Sequence, residues 1–259
     1  MSEKITAVFG SSKTYYDYAP MVVGSLLRQH PDAKVYFFAD DDEVPGMKHP
    51  NVEILNINNF PSMVPSDSPN ITQRFSKFTL LKCWLPEWLP QENKVIWLDM
   101  DTLVLDTIQP IWDLDMSNTL LYGALDVLTL VERAAERGTT NLPIYINTGV
   151  CIMNLALMRA MQITSKLIKA LSETRFKYVD QDALNDTCFP HIRTFSHAYN
   201  YGGTWPGYNF SELTPHIRHF VAEGGWSKRF LFEYFPMFKN LYTPSLETLC
   251  NNTETKKKE

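Results

Sequence analysis

Asp99 and Asp101 stand one residue apart at the end of the apolar run Lys94-Val-Ile-Trp-Leu98, and a second apolar run, Thr102-Leu-Val-Leu105, follows them. A carboxylate is costly to remove from water unless an opposite charge or hydrogen bonds compensate it. A divalent cation bound through oxygen is the simplest partner for two such groups. The run before Asp99 reads as a buried strand. In open α/β sheets ligands collect beyond the carboxyl ends of strands, and both carboxylates would stand there. In isolation the same residues also suit a solvated, aspartate-rich turn, so the choice falls to the rest of the chain.

The elements that would carry this pair alternate. Ile5–Phe9 reads as a strand ending in Gly10-Ser11-Ser12, and Tyr18–Gln29 as a helix closed by His30-Pro31. Lys34–Ala39 and Val52–Ile57 read as further strands. Arg74–Leu85 has helical spacing and leads into the strand at Lys94. Leu120–Leu125 and Ile144–Leu155 are strand-like, the latter apolar except for Asn147 and Thr148 at its centre. Leu128–Arg137 reads as a charged, irregular or helical insertion, Ala156–Glu173 as one helix and Tyr178–Thr187 as a short one. Strands alternating with helices predict an α/β sandwich built on a mainly parallel sheet. With no internal repeat or linker, one domain is expected over residues 1–245, with a polar, disordered tail over 246–259.

The 259 residues are 44% hydrophobic and carry a net charge of −5. That balance fills a core and lacks the basic footprint of a nucleic-acid binder. The four cysteines, Cys83, Cys151, Cys188 and Cys250, are widely spaced in apolar contexts, which reads as buried thiols in a reducing compartment. The first residues are too polar for a signal peptide, and no apolar run reaches the roughly 18 residues of a spanning helix. A cytoplasmic protein without a transmembrane segment is the expectation.

Six segments together resemble the retaining glycosyltransferases of family 8, which include glycogenin, galactinol synthase and bacterial lipooligosaccharide galactosyltransferases. They are Ser76-Lys77, Asp99-Met-Asp101, Gly123-Ala-Leu-Asp126, Tyr145-Ile-Asn-Thr-Gly-Val-Cys-Ile-Met-Asn-Leu155, Asp180-Gln-Asp-Ala-Leu-Asn185 and Ile217-Arg-His-Phe220. Their order and spacing over residues 5–228 carry the resemblance; each alone is weak. It implies a GT-A-like, Rossmann-like fold and transfer of a hexose, glucose or galactose, from a UDP-sugar with retention of configuration. The acceptor is a glycan, lipid or protein of unread identity. Asp99, Asp101 and His219 would be the metal ligands, with His216 three residues away as the fallback. That mixed oxygen and nitrogen set suits Mn²⁺, and Mg²⁺ less well. Donor-binding roles would fall to Tyr16, Lys77, Asp99, Met100, Asp101, Asp126, Asn147, Gly224 and Lys228. Asp180 and Gln181 would stand at the anomeric carbon, Asp182 being structural.

Two departures from the family pattern stand out. The histidine is followed by Phe220-Val-Ala-Glu-Gly224-Gly-Trp-Ser-Lys228 rather than Gly-Lys-Pro-Trp, and Tyr15, Tyr16 and Tyr18 crowd the nucleobase end. The alternatives are a nucleotide-sugar-binding protein of weak activity and a haloacid-dehalogenase-like phosphatase, which also ends a strand in DxD. Against the phosphatase, Thr102 follows Asp101 directly and the motif lies a hundred residues into the chain.

Overall fold

A computed structural model of the chain describes residues 3–61, 67–70, 77–202 and 213–221. The chain forms β1 (Thr6–Ser11), α1 (Ala19–Gln29), β2 (Lys34–Ala39), β3 (Val52–Asn56), α2 (Lys77–Trp88), β4 (Lys94–Leu98) and β5 (Thr102–Val104). It continues through α3 (Gln109–Trp112), β6 (Leu121–Leu125), α4 (Val127–Arg137), β7 (Ile146–Asn154), α5 (Leu155–Ala160), α6 (Ile163–Glu173), α7 (Val179–Cys188), β8 (Ile192–Thr194) and β9 (Ile217–His219).

Seven strands make one sheet in the order β3-β2-β1-β4-β7-β6-β8, and β5 pairs with β9 in a second, small sheet. The large sheet is mostly parallel; β7 runs antiparallel to both of its neighbours. Side chains alternate between its faces, as strand geometry requires. Ala7, Phe9, Phe37, Ile96 and Ile152 pack with α1 on one face, while Val8, Phe38, Trp97, Cys151 and Met153 pack with α2 and α5–α7 on the other.

Two features of this sheet position the site. The chain leaves β1 towards β2 and returns to β4 on the other side, so the crevice between β1 and β4 is a topological switch point. The β6–β7 register also jumps: Gly123 pairs with Cys151, but Ala124 pairs with Asn147. Thr148 and Gly149 are thereby freed from β6, and together with Asn147 they line the cleft beside that crevice.

Several sequence expectations change. The helix expected over 156–173 is two helices, because Gln162 between α5 and α6 has a left-handed φ of 53°. Of the two forms expected after Asp126, irregular or helical, the segment takes the helical one, α4, with Asp126 Oδ1 accepting from the Thr129 N–H at its N-terminus (3.0 Å). Cys83, Cys151 and Cys188 are buried free thiols, and burial pushes that of Cys151 up to about 12. Cys250 and the tail 246–259 lie outside the described residues. Among the described residues no helix is long and apolar enough to cross a membrane.

Candidate active site

The turn after β4 is fixed from both sides. The Asp99 N–H donates to Gly149 O (2.8 Å), Thr102 donates to Asp99 O through both its backbone N–H (3.1 Å) and Oγ1 (2.7 Å), and the Phe220 N–H donates to Asp101 O (3.0 Å). Antiparallel pairing of β5 with β9 places Thr102 opposite His219. The imidazole Nε2 of His219 consequently lies 3.2 Å from Asp101 Oδ1 and 3.9 Å from Asp99 Oδ2. The three donor atoms all fall within 4.8 Å of one another.

Burial alone would push the His219 pKa down, but Asp101 and then Asp99 outweigh it and hold the ring above its ordinary value. Burial likewise opposes ionisation of Asp101, and His219 overcomes it, holding that carboxyl below its usual range.

The residues present fit a cation. A Cβ on Gly149 would come within 2.1 Å of His219 Cε1 and 2.8 Å of Asp99 Oδ2, so the cluster occupies a cradle that any side chain would fill. Gly149→Ala is therefore expected to keep a divalent cation out of this cradle although it changes none of the three donor residues. A Mn²⁺ titration of the folded variant checks this; wild-type affinity would refute it.

The cleft, about 540 Å³, holds a second group of polar side chains. Lys82 is buried and bridges two carboxylates, Asp180 Oδ2 at 2.7 Å and Asp99 Oδ1 at 3.4 Å. It also donates to Thr148 O (3.2 Å) and Thr148 Oγ1 (3.3 Å). Burial disfavours the ammonium, yet Asp180 and Asp99 hold its pKa well above the usual lysine value. Burial raises the pKa of Asp180, and Lys82 opposes that rise.

Asp180 and Gln181 lie in the first turn of α7. Every polar atom of the Gln181 amide is engaged. Nε2 donates to Asp126 Oδ2 (3.0 Å) and Tyr145 OH (3.2 Å), while Oε1 accepts from the Thr148 N–H (3.1 Å). Behind it, Tyr145 OH donates to Asp182 Oδ1 (2.7 Å), and Asp182 Oδ2 accepts from the Tyr178 N–H (2.8 Å). Asp182 thus satisfies the backbone N–H of Tyr178 just before the first turn of α7.

The fold brings Asp99, Asp101, Asp126, Asn147, Asp180, Gln181 and His219 to one cleft, and leaves others elsewhere. Lys77 does not line the cleft; its Nζ donates to Asn58 Oδ1 (3.0 Å). Residues 77 and 82 lie about 140° apart around a helix of 3.6 residues per turn, so Lys82 points where Lys77 cannot. Tyr16 is a buried anchor whose OH accepts the N–H groups of Asp40 (2.9 Å) and Asp41 (3.1 Å), and Met100 packs against the core. His216 stacks on Tyr199 (4.5 Å between ring centroids), with Nδ1 2.9 Å from Thr107 O, and does not join Asp99, Asp101 and His219. Ser76, Gly224 and Lys228 lie outside the described residues. Sequence reasoning missed Lys82, although a lysine inside Leu80-Leu81-Lys82-Cys83-Trp84 signals a charge that folding must pair.

A mostly parallel sheet, helices on both faces and an acidic turn at the switch point define a GT-A-like glycosyltransferase fold. The galactosyltransferase LgtC, solved in complex with donor and acceptor sugar analogs, shares it: 19% identity, a TM-score of 0.66, and coverage of 92% of this chain and 95% of that one. GlyE of Streptococcus pneumoniae superposes with a TM-score of 0.68 at 17% identity, covering 98% of this chain and 64% of that one. The sequence matches glycosyl transferase family 8 over residues 6–224, and the chain belongs to that family. A Haemophilus influenzae protein provisionally named a glycosyltransferase is 26% identical over 220 residues, 78% of this chain and 65% of its own length. General stress protein A of Bacillus subtilis is 30% identical over 120 residues, 44% of this chain and 42% of its own. The chain thus spans less than two thirds of either relative. Family membership sets aside the phosphatase reading.

Proposed function

We propose that the chain transfers a hexose, glucose or galactose, from a UDP-sugar to an acceptor hydroxyl, with retention of configuration and with Mn²⁺ on Asp99, Asp101 and His219. The observation that carries the reading is the convergence of that three-ligand cluster with Lys82, Asp180, Gln181 and Asp126 in one cleft. When bound, the cation would neutralise charge on the departing diphosphate. Lys82 is the resident cation of the cleft and adds to that field. Asp126 and Asn147 supply polar groups for sugar hydroxyls.

The residues near the anomeric carbon favour front-face attack over a covalent glycosyl-enzyme. Asp180 is tied into an ion pair with Lys82, and Gln181 is a neutral amide with all its polar atoms engaged. Neither is a free nucleophile. The C1–O bond to phosphate breaks, the acceptor oxygen bonds C1 from the same face, and its proton passes to the departing phosphate oxygen. Asp180 and Gln181 stabilise the positive charge between the two events.

Calorimetric titration of UDP with and without Mn²⁺ tests the donor site. Binding that requires the metal supports it; binding indifferent to Mn²⁺, or no binding, leaves the fold and family but removes the UDP-sugar reading.

A further inference from the structure

The backbone N–H of Gly149 donates to the side chain of Asn147 at 3.0 Å. A peptide N–H cannot accept, so the atom facing it is the amide oxygen Oδ1. That oxygen also lies 3.0 Å from the side chain of Asn200, which must therefore present its amide nitrogen. The remaining atom of Asn200 is Oδ1, and it lies 2.7 Å from His219 Nδ1. An oxygen there demands a proton on Nδ1. Each assignment follows from the one before, beginning at a backbone group whose polarity is fixed. All three side chains are buried, at 1% exposure for Asn200, 3% for His219 and 6% for Asn147, so the protein rather than solvent sets these polarities.

The other ring nitrogen, Nε2, is the one facing Asp101 and Asp99. With Nδ1 committed as a donor, Nε2 is the atom left to offer a lone pair to a cation. A reversed Asn200 amide would turn its NH₂ to Nδ1, move the proton of the neutral ring to Nε2 and remove that lone pair. We infer that Asn200, with Asn147 behind it, is a positioning residue for the metal centre, forming a one-way relay that fixes the tautomer and the plane of His219. The inference rests on the metal-site reading above and adds the device that makes one ligand competent. It also gives Asn147 a second task beside contact with the donor.

The test is titration of the full chain with Mn²⁺, following free ion by electron paramagnetic resonance. Asn200→Leu is expected to weaken binding roughly 10–100-fold, the usual cost of losing a group that orients a metal ligand. Asn147→Leu touches no ligand and is expected to weaken it as well. Asn147→Asp keeps an acceptor for both donors and restores affinity to near the wild-type value. Leucine variants that bind as tightly as wild type overturn the relay while leaving the metal site standing. A wild-type protein that binds no Mn²⁺ overturns both. If the leucine variants do not fold, the wild type loaded with Co²⁺ decides. A slowly exchanging, hyperfine-shifted imidazole N–H supports the relay, and loss of that signal with Co²⁺ bound overturns it.

Discussion

Asp101→Ala is expected to lower metal-dependent sugar transfer by about 10³-fold or more while the metal-free protein melts close to the wild-type temperature. On the proposed function, the rate effect would follow from losing one of the three proposed ligands, and with it several kcal/mol of charge stabilisation on the leaving diphosphate. The small stability effect follows from chemistry particular to this pair. Asp101 is the largest influence that raises the pKa of the buried His219. Without Asp101, burial, which favours the neutral ring, is opposed less, so the imidazole passes to its neutral form without stranding a charge, and Asn200 still accepts from Nδ1. Asp99 remains 3.9 Å from Nε2. Turnover with a UDP-sugar at saturating Mn²⁺, alongside a thermal melt without metal, measures both. Unchanged turnover would remove the metal assignment.

The sequence could announce Asp99 and Asp101 because a strand that ends in two carboxylates needs no tertiary knowledge to look unusual. The alternation of strands and helices was legible for the same reason: period-2 and period-3.6 patterns are local. His219 was reachable only through resemblance, because nothing in Ile217-Arg-His-Phe220 states that this strand pairs with Thr102–Val104. Lys82 escapes a local reading because helical phase decides which lysine of α2 enters the cleft, and nothing around Ser76-Lys77 states that phase. Gln162 was invisible: glycine and asparagine signal a left-handed backbone, and glutamine does not. Asn200 sits in a segment without periodicity, and its role comes only from its neighbours in space. The antiparallel placement of β7, and the register jump that releases Thr148 and Gly149, belong to long-range pairing that no local pattern encodes.

Lys82→Met is expected to destabilise the fold by roughly 3–5 kcal/mol, as loss of one partner from a buried ion pair does. For a chain of this size that is a fall in melting temperature on the order of 10 °C. Methionine is close to lysine in length and apolar in its stem, so a new cavity does not explain the loss. The cost is the charge of Asp180, whose side chain is 14% exposed and whose nearest cation is Lys82 at 2.7 Å. Burial already raises the Asp180 pKa, and Lys82 is what opposes it; without Lys82 the carboxyl protonates at higher pH still. A carboxyl whose folded pKa lies above its unfolded value binds more protons folded than unfolded between the two. Its contribution is therefore most favourable below the unfolded pKa and is lost as pH rises through the folded one. The deficit of Lys82→Met relative to wild type should accordingly shrink as pH falls from 8 towards 5, read as unfolding midpoints across that range. A deficit that stays constant with pH would show that the charge of Asp180 is not its cause. Adding Asp180→Asn separates stability from chemistry. The double variant leaves only the better-exposed Asp99 without Lys82 and should recover most of the lost stability, because an uncharged pair replaces a broken one. Turnover, in contrast, should remain about 10²–10³-fold or more below wild type in both variants, since each lacks the cation that the proposed function sets beside the leaving group and the double variant lacks Asp180 as well.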